Sequence, residues 1–215
     1  MDYHAQMTAW RRDLHQIPET DFGEHETAAY VAQVMRSLGY QVTTGIGGTG
    51  VVASMTQGSS TRSIGFRAEL DGLLITEAVD RPYKSRTPGR MHACGHDGHM
   101  TMLLGAAAIL ANDTTWAGTV RFFFQPDEEH GHGANAMIAA GVLDTHPVDA
   151  IYGIHNMPGL AAGDFATRVG GIMASEDNFI IDITGIGGHA ARPQMTIDPI
   201  VIGAEIVLAL QTIVA

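Results

Sequence analysis

The sequence predicts an α/β protein in which a mixed sheet carries helices on both faces and is followed by the start of a smaller α+β domain. Two observations lead to this prediction. Segments of helical periodicity alternate along the chain with short apolar segments rich in β-branched and aromatic residues. A change in composition at Gly170–Ser175 then indicates a hinge. We therefore expect one domain over residues 1–175 and the beginning of a second domain over residues 176–215.

The predicted elements follow one another in the order helix, helix, three strands, helix, strand, helix and strand. Glycines mark two of the helix ends, since Gly39 and Gly141 each follow a helical pattern. In the second domain we expect a first strand at Phe179–Thr184. We also expect a packed helix from Pro199 to Ala215, because this segment is short for a membrane span and contains Glu205. The bounds predicted for the first domain are 3–16, 25–38, 41–44, 51–55, 63–69, 98–112, 119–125, 133–140 and 149–154.

Composition and charge exclude several classes of partner. The chain has 215 residues, enough for a sizeable core. Its 12 basic and 23 acidic residues give a formal net charge of −11 without any basic run, which argues against nucleic acid and membranes as partners. The single cysteine cannot form an internal disulfide, and the polar N-terminus shows no secretory signal. These features favour a cytoplasmic protein that acts on a small molecule.

The segment Met91–His99 carries three of the eleven histidines, the only cysteine and a carboxylate. These side-chain types bind transition metals, and the two glycines among them let the backbone turn tightly around an ion. An apolar helical pattern begins immediately afterwards. A cysteine buried among solvated histidines is the ordinary alternative. The density of ligand types nevertheless favours a metal site at a loop-to-helix junction.

Further candidate ligands follow the ends of three predicted strands. Glu128 and Glu129 come after the strand 119–125, and Asp71 and His155 come after two others. In open α/β sheets, sites form outside the carboxyl ends of the strands. Adjacent glutamate side chains diverge and repel each other, so one of them is expected to bind metal and the other to act as general base. A solvated acidic turn or a satisfied surface histidine is the alternative when each segment is taken alone.

Two weaker signals are expected to reflect loop structure rather than binding. Gly45–Gly50 matches the spacing of a nucleotide-binding glycine loop, but a strand rather than a helix follows it, so we expect a glycine-rich hairpin. His130 and His132 are expected to be loop residues near the metal site rather than ligands. A nucleotide-dependent α/β enzyme and a catalytically inactive metal-binding protein remain the alternatives to a metal-dependent enzyme.

Five segments, in this order, resemble the binuclear-metal amidohydrolases that include hippurate hydrolase, bacterial N-acyl-amino-acid deacylases and plant indole-acetyl-amino-acid hydrolases. The wider group is that of the aminoacylase and carboxypeptidase G metallopeptidases. The resemblance covers essentially the whole chain, and the Cys-Gly-His-Asp motif is specific to this branch. The segments are Arg67–Leu73, Met91–His99, Phe124–Glu129, Gly153–Pro158 and Gly187–Ala191.

The resemblance implies a role for each candidate residue. Glu128 would be the base that activates metal-bound water, Asp71 would lie next to the metal site, and His189 of the second domain would steady the carbonyl oxygen of the substrate. The cofactors would be two divalent ions of Zn, Mn, Co or Ni, bridged by the cysteine. The implied metal ligands are Cys94, His96, Glu129 and His155.

The activity implied by the resemblance is hydrolysis of the amide bond of N-acyl amino acids, such as hippurate-like or N-acetyl substrates. The implied assembly is a homodimer formed through the second, lid domain. Family members are considerably longer and carry a further histidine ligand beyond the point that corresponds to Ala215. We therefore expect the 215-residue chain alone to bind at most one ion firmly and to be nearly inactive. The chain also has Asp127 where the family usually has a small residue.

Overall fold

The computed structural model describes residues 2–175 and 177–214. It divides the chain into two compact units, the first ending at Phe165 and the second beginning at Ala166. The predicted hinge at Gly170–Ser175 therefore lies within the second unit. The assignment of the two parts of the chain as catalytic and lid domains stays a prediction.

A five-stranded sheet forms the centre of the first unit, with strands β1 (Gln41–Ile46), β2 (Gly50–Gln57), β3 (Ser63–Glu69), β4 (Gly118–Gln125) and β5 (Ala150–Gly153). Their order across the sheet is β1-β2-β4-β3-β5. β2 is antiparallel to both β1 and β4, whereas β3 is parallel to both β4 and β5. The predicted mixed sheet is confirmed.

Helices cover both faces of this sheet, as the sequence predicted. They are α1 (Tyr3–His15), α2 (His25–Ser37), α3 (His96–Asn112), α4 (Gly133–Ala139) and the short α5 (Val142–Thr145), which was not predicted. Successive side chains of a strand point to opposite faces. Phe122 and Phe124 of β4 accordingly belong to one apolar cluster with α1, α2 and α3. Phe123 belongs to a second cluster, with Met137 of α4 and Val142 of α5.

The parallel strands β3, β4 and β5 place their carboxyl ends at one edge of the sheet. Glu69 at the end of β3 pairs in register with Gln125 at the end of β4. The segments that follow these strands carry Asp71, Glu128 and His155. The topology therefore brings candidate residues from three separate parts of the sequence to the same edge, where sites of open α/β sheets form.

The glycine-rich segment Gly45–Gly50 is a hairpin turn, as predicted. It joins β1 to β2, which are antiparallel neighbours. Gly47 and Gly48 have φ values of 62° and 108°, in the region that glycine adopts without a steric penalty. Because no helix begins after this turn, it lacks the helix N-terminus that a phosphate-binding loop requires.

The second unit contains a single turn of 3₁₀ helix at Pro193–Met195 and helix α6 (Pro199–Val214) among its described residues. The prediction of a strand at Phe179–Thr184 is wrong, since residues 179–184 form no strand. A β-strand requires a neighbouring segment to satisfy its backbone hydrogen bonds, and the bridge recorded in this unit joins Ile186 to Ile197 instead. Within residues 2–175 and 177–214, no helix has the length and apolar character needed to cross a membrane.

Candidate metal centre

The start of helix α3 places Cys94 and His96 on either side of a tight turn. Gly95, between them, has a φ of 98°, and a Cβ atom at this position would collide with the side-chain amide of Asn156. Only glycine fits both requirements. Cys94 thus precedes the turn, and His96 is the first residue of the helix. The predicted loop-to-helix junction is confirmed, with the helix starting at His96 rather than at residue 98.

Four side chains with metal-binding atoms converge around His96. Cys94 Sγ lies 3.4 Å from His155 Nε2, and the ligand atoms of Cys94, His96 and His155 all lie within 4.8 Å of one another. On the other side, His96 Nε2 lies 3.7 Å from Glu128 Oε2 and 3.7 Å from Glu129 Oε1, and these three residues form a second such group. The structure therefore brings the four predicted ligands and the predicted base together in two groups that share His96.

Two atoms of this cluster are buried without a hydrogen-bond partner, namely His96 Nε2 and Glu129 Oε1. Buried polar atoms are nearly always paired in folded proteins, so unpaired ones require an explanation. The other nitrogen of His96, Nδ1, lies 2.8 Å from the carbonyl oxygen and 3.2 Å from Oδ1 of Asp71. A metal-binding histidine typically donates its second ring N–H to a carbonyl or carboxylate in this way. The arrangement leaves Nε2 free for an ion.

Asp71 also connects to the glutamate segment. Its Oδ2 accepts a hydrogen bond from the backbone N–H of Glu129 at 2.9 Å, and its side chain is 1% exposed. One buried carboxylate thus orients both His96 and the chain that carries Glu128 and Glu129. The structure places Asp71 beside the cluster, as the resemblance implied.

The electrostatics of the cluster favour a cation. Burial, and then the charge of Glu129, raise the pKa of the Cys94 thiol to about 12. Burial also raises the pKa of Glu128. For His96, burial acts to lower the pKa, but the hydrogen bond with Asp71 and the nearby carboxylates outweigh it and raise the pKa to about 9. Metal ligands must be deprotonated, so a divalent ion would displace the protons held here.

His99 and Glu69 form a buried, hydrogen-bonded pair next to the proposed metal ligands. The sequence analysis assigned no role to either residue. His99 Nδ1 lies 2.8 Å from Glu69 Oε2, and His99 Nε2 contacts both the backbone N–H of Asn156, at 3.1 Å, and the side-chain oxygen of Asn156. Glu69 is also ion-paired with Arg67. Burial acts to raise the pKa of Glu69, but the bond from His99 and the charge of Arg67 outweigh it and hold the pKa at about 2.

Glu69, His96 and His99 also offer three ligand atoms within 4.8 Å of one another. Both ring nitrogens of His99 are occupied, however, and Glu69 is neutralised by its two partners. We therefore interpret this group as structural. A signal for His99 existed in the sequence, because residues three apart on a helix share a face and His96 and His99 have that spacing.

Three further histidines, His130, His132 and His189, belong to none of the ligand groups that contain His96. His189 lies in the second unit, where its Nδ1 accepts a hydrogen bond from the backbone N–H of Ala191 at 3.1 Å. His130 and His132 contact Asp127, as expected for loop residues near the site. The catalytic role assigned to His189 stays a prediction, as do the separate roles of the two glutamates.

The chain belongs to peptidase family M20/M25/M40, whose sequence profile matches residues 65–213. It is 41% identical to hippurate hydrolase of Campylobacter jejuni over 215 residues, which are all of this chain and 56% of that protein. It is 42% identical to N-acetyl-L-cysteine deacetylase of Bacillus subtilis over 211 residues, or 98% of this chain and 50% of that protein. The chain thus spans about half the length of the curated relatives it matches. The family resemblance seen in the sequence is confirmed.

Solved structures agree with this assignment. A putative aminohydrolase from methicillin-resistant Staphylococcus aureus superimposes with a TM-score of 0.80 at 35% identity, over 98% of this chain and 56% of that one. A dinuclear metal-binding M20 peptidase from Bacillus subtilis gives a TM-score of 0.69 at 38% identity, over 74% of this chain and 44% of that one. Together with the unpaired donors around His96, these likenesses support binding of divalent metal ions at this site.

Proposed function

We propose that this chain forms the metal-binding part of an amidohydrolase that cleaves the amide bond of N-acyl amino acids, with hippurate-like or N-acetyl compounds as substrates. The observation that carries the proposal is the position of two adjacent carboxylates, Glu128 and Glu129, each with an oxygen 3.7 Å from the unpaired Nε2 of His96. One carboxylate can bind metal while the other remains available as a base. The names of the two relatives, hippurate hydrolase and N-acetyl-L-cysteine deacetylase, support N-acyl amino acids as the substrate class.

Two divalent ions are part of this proposal. The ligand atoms form two groups that share only His96, one with sulfur and imidazole and one with carboxylates, and two such groups support two ions. Cys94 also interacts with Glu129 of the second group, which supports Cys94 as the bridge. Thiolate and imidazole suit Zn, Co or Ni, whereas carboxylates also accept Mn. The proposed ligands from this chain are Cys94, His96, Glu129 and His155.

Glu128 is the proposed general base. A bound divalent ion would lower the pKa of water and polarise the substrate carbonyl. Glu128 takes a proton from the attacking water and passes it to the departing amine. Its side chain is 37% exposed, against 21% for Glu129, so Glu128 is the more accessible carboxylate. Burial raises its pKa, and a base works best when its pKa lies near the operating pH.

Two further residues assist in this scheme. Asp71 holds His96 and the backbone of Glu129 in place through its two carboxylate oxygens. His189 is proposed to donate a hydrogen bond to the substrate carbonyl oxygen as negative charge develops there. Loss of one such donor costs about 10²–10³ in kcat in other hydrolases.

The direct test is hydrolysis of hippurate and N-acetyl amino acids in the presence of Zn, Mn, Co or Ni. Two forms should be assayed: the 215-residue chain, and a fusion that adds the part of the Bacillus subtilis deacetylase outside the matched region. We expect little turnover from the chain alone and metal-dependent turnover from the fusion. A fusion that binds metal yet releases no amino acid from any N-acyl substrate would favour a metal-binding protein without this activity.

We also propose a cytoplasmic homodimer that associates through the second unit. Several large apolar side chains of this unit are exposed, with relative exposures of 90% for Ile180, 79% for Ile200 and 71% for Leu208. Apolar surface of this kind favours association. Sedimentation of the chain should show a dimer, and Leu208→Glu should shift it to a monomer without loss of bound metal. A wild-type monomer would contradict the proposal.

A further inference from the structure

A second group of metal-binding side chains lies in the first unit, outside the centre around His96. We call it the Asp127 cluster, and it consists of Asp21, Asp127, His130 and His132. Asp21 belongs to the connection between α1 and α2, whereas the other three belong to the connection between β4 and α4. Two segments far apart in the sequence therefore meet here. None of the four is among the proposed ligands of the metal centre.

The cluster is organised around the carboxylate of Asp127, whose side chain is 2% exposed. One oxygen, Oδ1, lies 2.8 Å from His130 Nδ1, and the other, Oδ2, lies 3.3 Å from His132 Nδ1. His130 Nδ1 also lies 3.5 Å from Asp21 Oδ1. The other oxygen of Asp21 accepts a hydrogen bond from the Thr20 hydroxyl at 2.7 Å, which fixes the direction of Oδ1.

The single nitrogen His130 Nδ1 thus faces oxygens from two carboxylates. This nitrogen can carry only one proton, which cannot pair fully with both carboxylates at once. The ligand atoms of Asp21, Asp127 and His130 all lie within 4.8 Å of one another, so a single ion can contact all three. An ion coordinated by all three side chains would displace that proton and lie about 2.0–2.2 Å from the nitrogen and from each oxygen. Carboxylate oxygens combined with imidazole nitrogen are suitable ligands for Zn and similar divalent ions.

We propose that Asp21, Asp127 and His130 bind one divalent transition-metal ion of the zinc type, at a site separate from the metal centre. The chain alone would then bind one ion more than the single ion expected from its sequence. His132, whose side chain is 71% exposed, is free to turn towards the ion as a fourth ligand. The ion links the connection before α2 to the segment that carries Glu128 and Glu129. It therefore anchors the position of the proposed base without being part of the reaction.

The experiment counts Co²⁺ ions bound to the folded, chelator-treated 215-residue chain by equilibrium dialysis and records the absorption spectrum of the same samples. Co²⁺ bound by a thiolate gives an intense charge-transfer band, so the band reports on Cys94 alone. His130→Gln and Asp21→Asn should each lose one bound Co²⁺ per chain and keep the thiolate band. Both side chains are partly exposed, and asparagine tolerates the positive φ of 61° at residue 21, so both variants should fold.

The matched control is His4→Gln, which removes an exposed imidazole outside the cluster and should leave the Co²⁺ count unchanged. Cys94→Ala should lose the band and keep the ion of the Asp127 cluster. An unchanged count in both His130→Gln and Asp21→Asn overturns the proposal, and so does an equal loss in His4→Gln. If the metal centre itself binds no ion, the result is different. The wild-type chain then lacks the thiolate band but still binds the Co²⁺ ion that His130→Gln removes.

Discussion

Two groups of side chains each include a residue from the first turn of helix α3, and they differ in how their polar atoms are satisfied. In the metal centre, His96 Nε2 and Glu129 Oε1 are buried without partners. In the neighbouring group, which we call the Asp97 network, Asp97 Oδ2 lies 2.7 Å from His15 Nδ1 and 3.0 Å from Arg11 Nε. The network also includes Glu77, whose Oε1 lies 3.3 Å from His15 Nε2.

The difference distinguishes a metal-binding site from a structural network, although both groups contain histidine and carboxylate side chains. His96 and Asp97 are consecutive, yet the side chain of one has an unfilled coordination direction and the other has protein partners for both oxygens. A buried charge is retained in a protein when it is paired or when it binds an ion. Substitutions in the metal centre should therefore reduce metal binding and the catalytic rate, whereas substitutions in the Asp97 network should reduce the free energy of unfolding.

The largest expected effect is on the catalytic rate. Glu128→Gln should lower kcat of the active fusion by roughly 10²–10⁴ and leave its metal content near wild type, because it removes a base without removing a ligand. Glu129→Gln should lose metal. Steady-state kinetics on hippurate, together with metal analysis by mass spectrometry, measures both quantities.

The matched control for this prediction is Glu77→Gln, which neutralises a carboxylate of the Asp97 network. Its kcat per folded molecule should match wild type. If Glu128→Gln loses the metal and Glu129→Gln retains it, the two glutamates have exchanged roles. If Glu77→Gln lowers kcat as strongly as Glu128→Gln, the distinction between metal-binding site and structural network does not hold.

Asp97→Asn tests the structural network directly. The substitution leaves Arg11 and His15 without their shared buried anion, and breaking a buried ion pair costs about 3–5 kcal/mol. Because the Arg11 side chain is 34% exposed, we expect the free energy of unfolding to fall by about 3 kcal/mol, at the lower end of this range. Urea denaturation measures the loss. A variant as stable as wild type would show that the network contributes nothing to folding.

A smaller effect is expected for Asp71→Asn, because Asp71 acts on the centre through His96 and the Glu129 backbone. Replacing the partner of a metal-binding histidine typically lowers metal affinity about 10–100-fold. Competition with a chromophoric chelator should show this decrease for Zn²⁺, with a smaller change in urea midpoint than for Asp97→Asn. Unchanged affinity would mean that Asp71 does not orient His96 for binding.

The smallest effect concerns pH. The hydrogen bond with Asp97 outweighs burial and raises the pKa of His15 above its ordinary value of 6.5. A group with a raised pKa in the folded state contributes stability that is fully present below the unfolded pKa and is lost as pH rises through the folded pKa. The stability advantage of wild type over His15→Gln should thus be greatest below about pH 6.5 and decline above it. A difference independent of pH would contradict this assignment.

Much of the fold could be predicted from the sequence because the relevant signals are local. Apolar runs such as Thr119–Phe124, followed by Pro126, identify a buried strand and its end. The ligand-rich segment Met91–His99 combines glycines with an apolar pattern directly after it, which locates a turn before a helix. Three strand ends carrying carboxylates or histidine then indicated a common edge, and the parallel pairing of β3, β4 and β5 accounts for that prediction.

Other features depend on contacts that no local pattern contains. Phe179–Thr184 alternates as a strand should, but pairing needs a second segment, and the described residues of that unit supply none for it. The local pattern likewise does not distinguish His96 from His99, because both lie in the first turn of one helix, and only the family resemblance selected His96. Only their partners separate them, since both nitrogens of His99 are bonded and Nε2 of His96 is not.

X-ray absorption of the zinc-loaded chain tests most directly whether the unpaired ligand atoms around His96 bind a divalent ion with Cys94 as a ligand. His130→Gln should carry one Zn²⁺ per chain, so that the ion is confined to the metal centre. The spectrum should show a sulfur scatterer at about 2.3 Å together with nitrogen or oxygen at about 2.0–2.2 Å. Loss of this sulfur signal in Cys94→Ser would assign it to the only cysteine rather than to one of the eleven methionines. A spectrum with nitrogen and oxygen alone, identical to that of Cys94→Ser, would contradict a metal centre with Cys94 as a ligand.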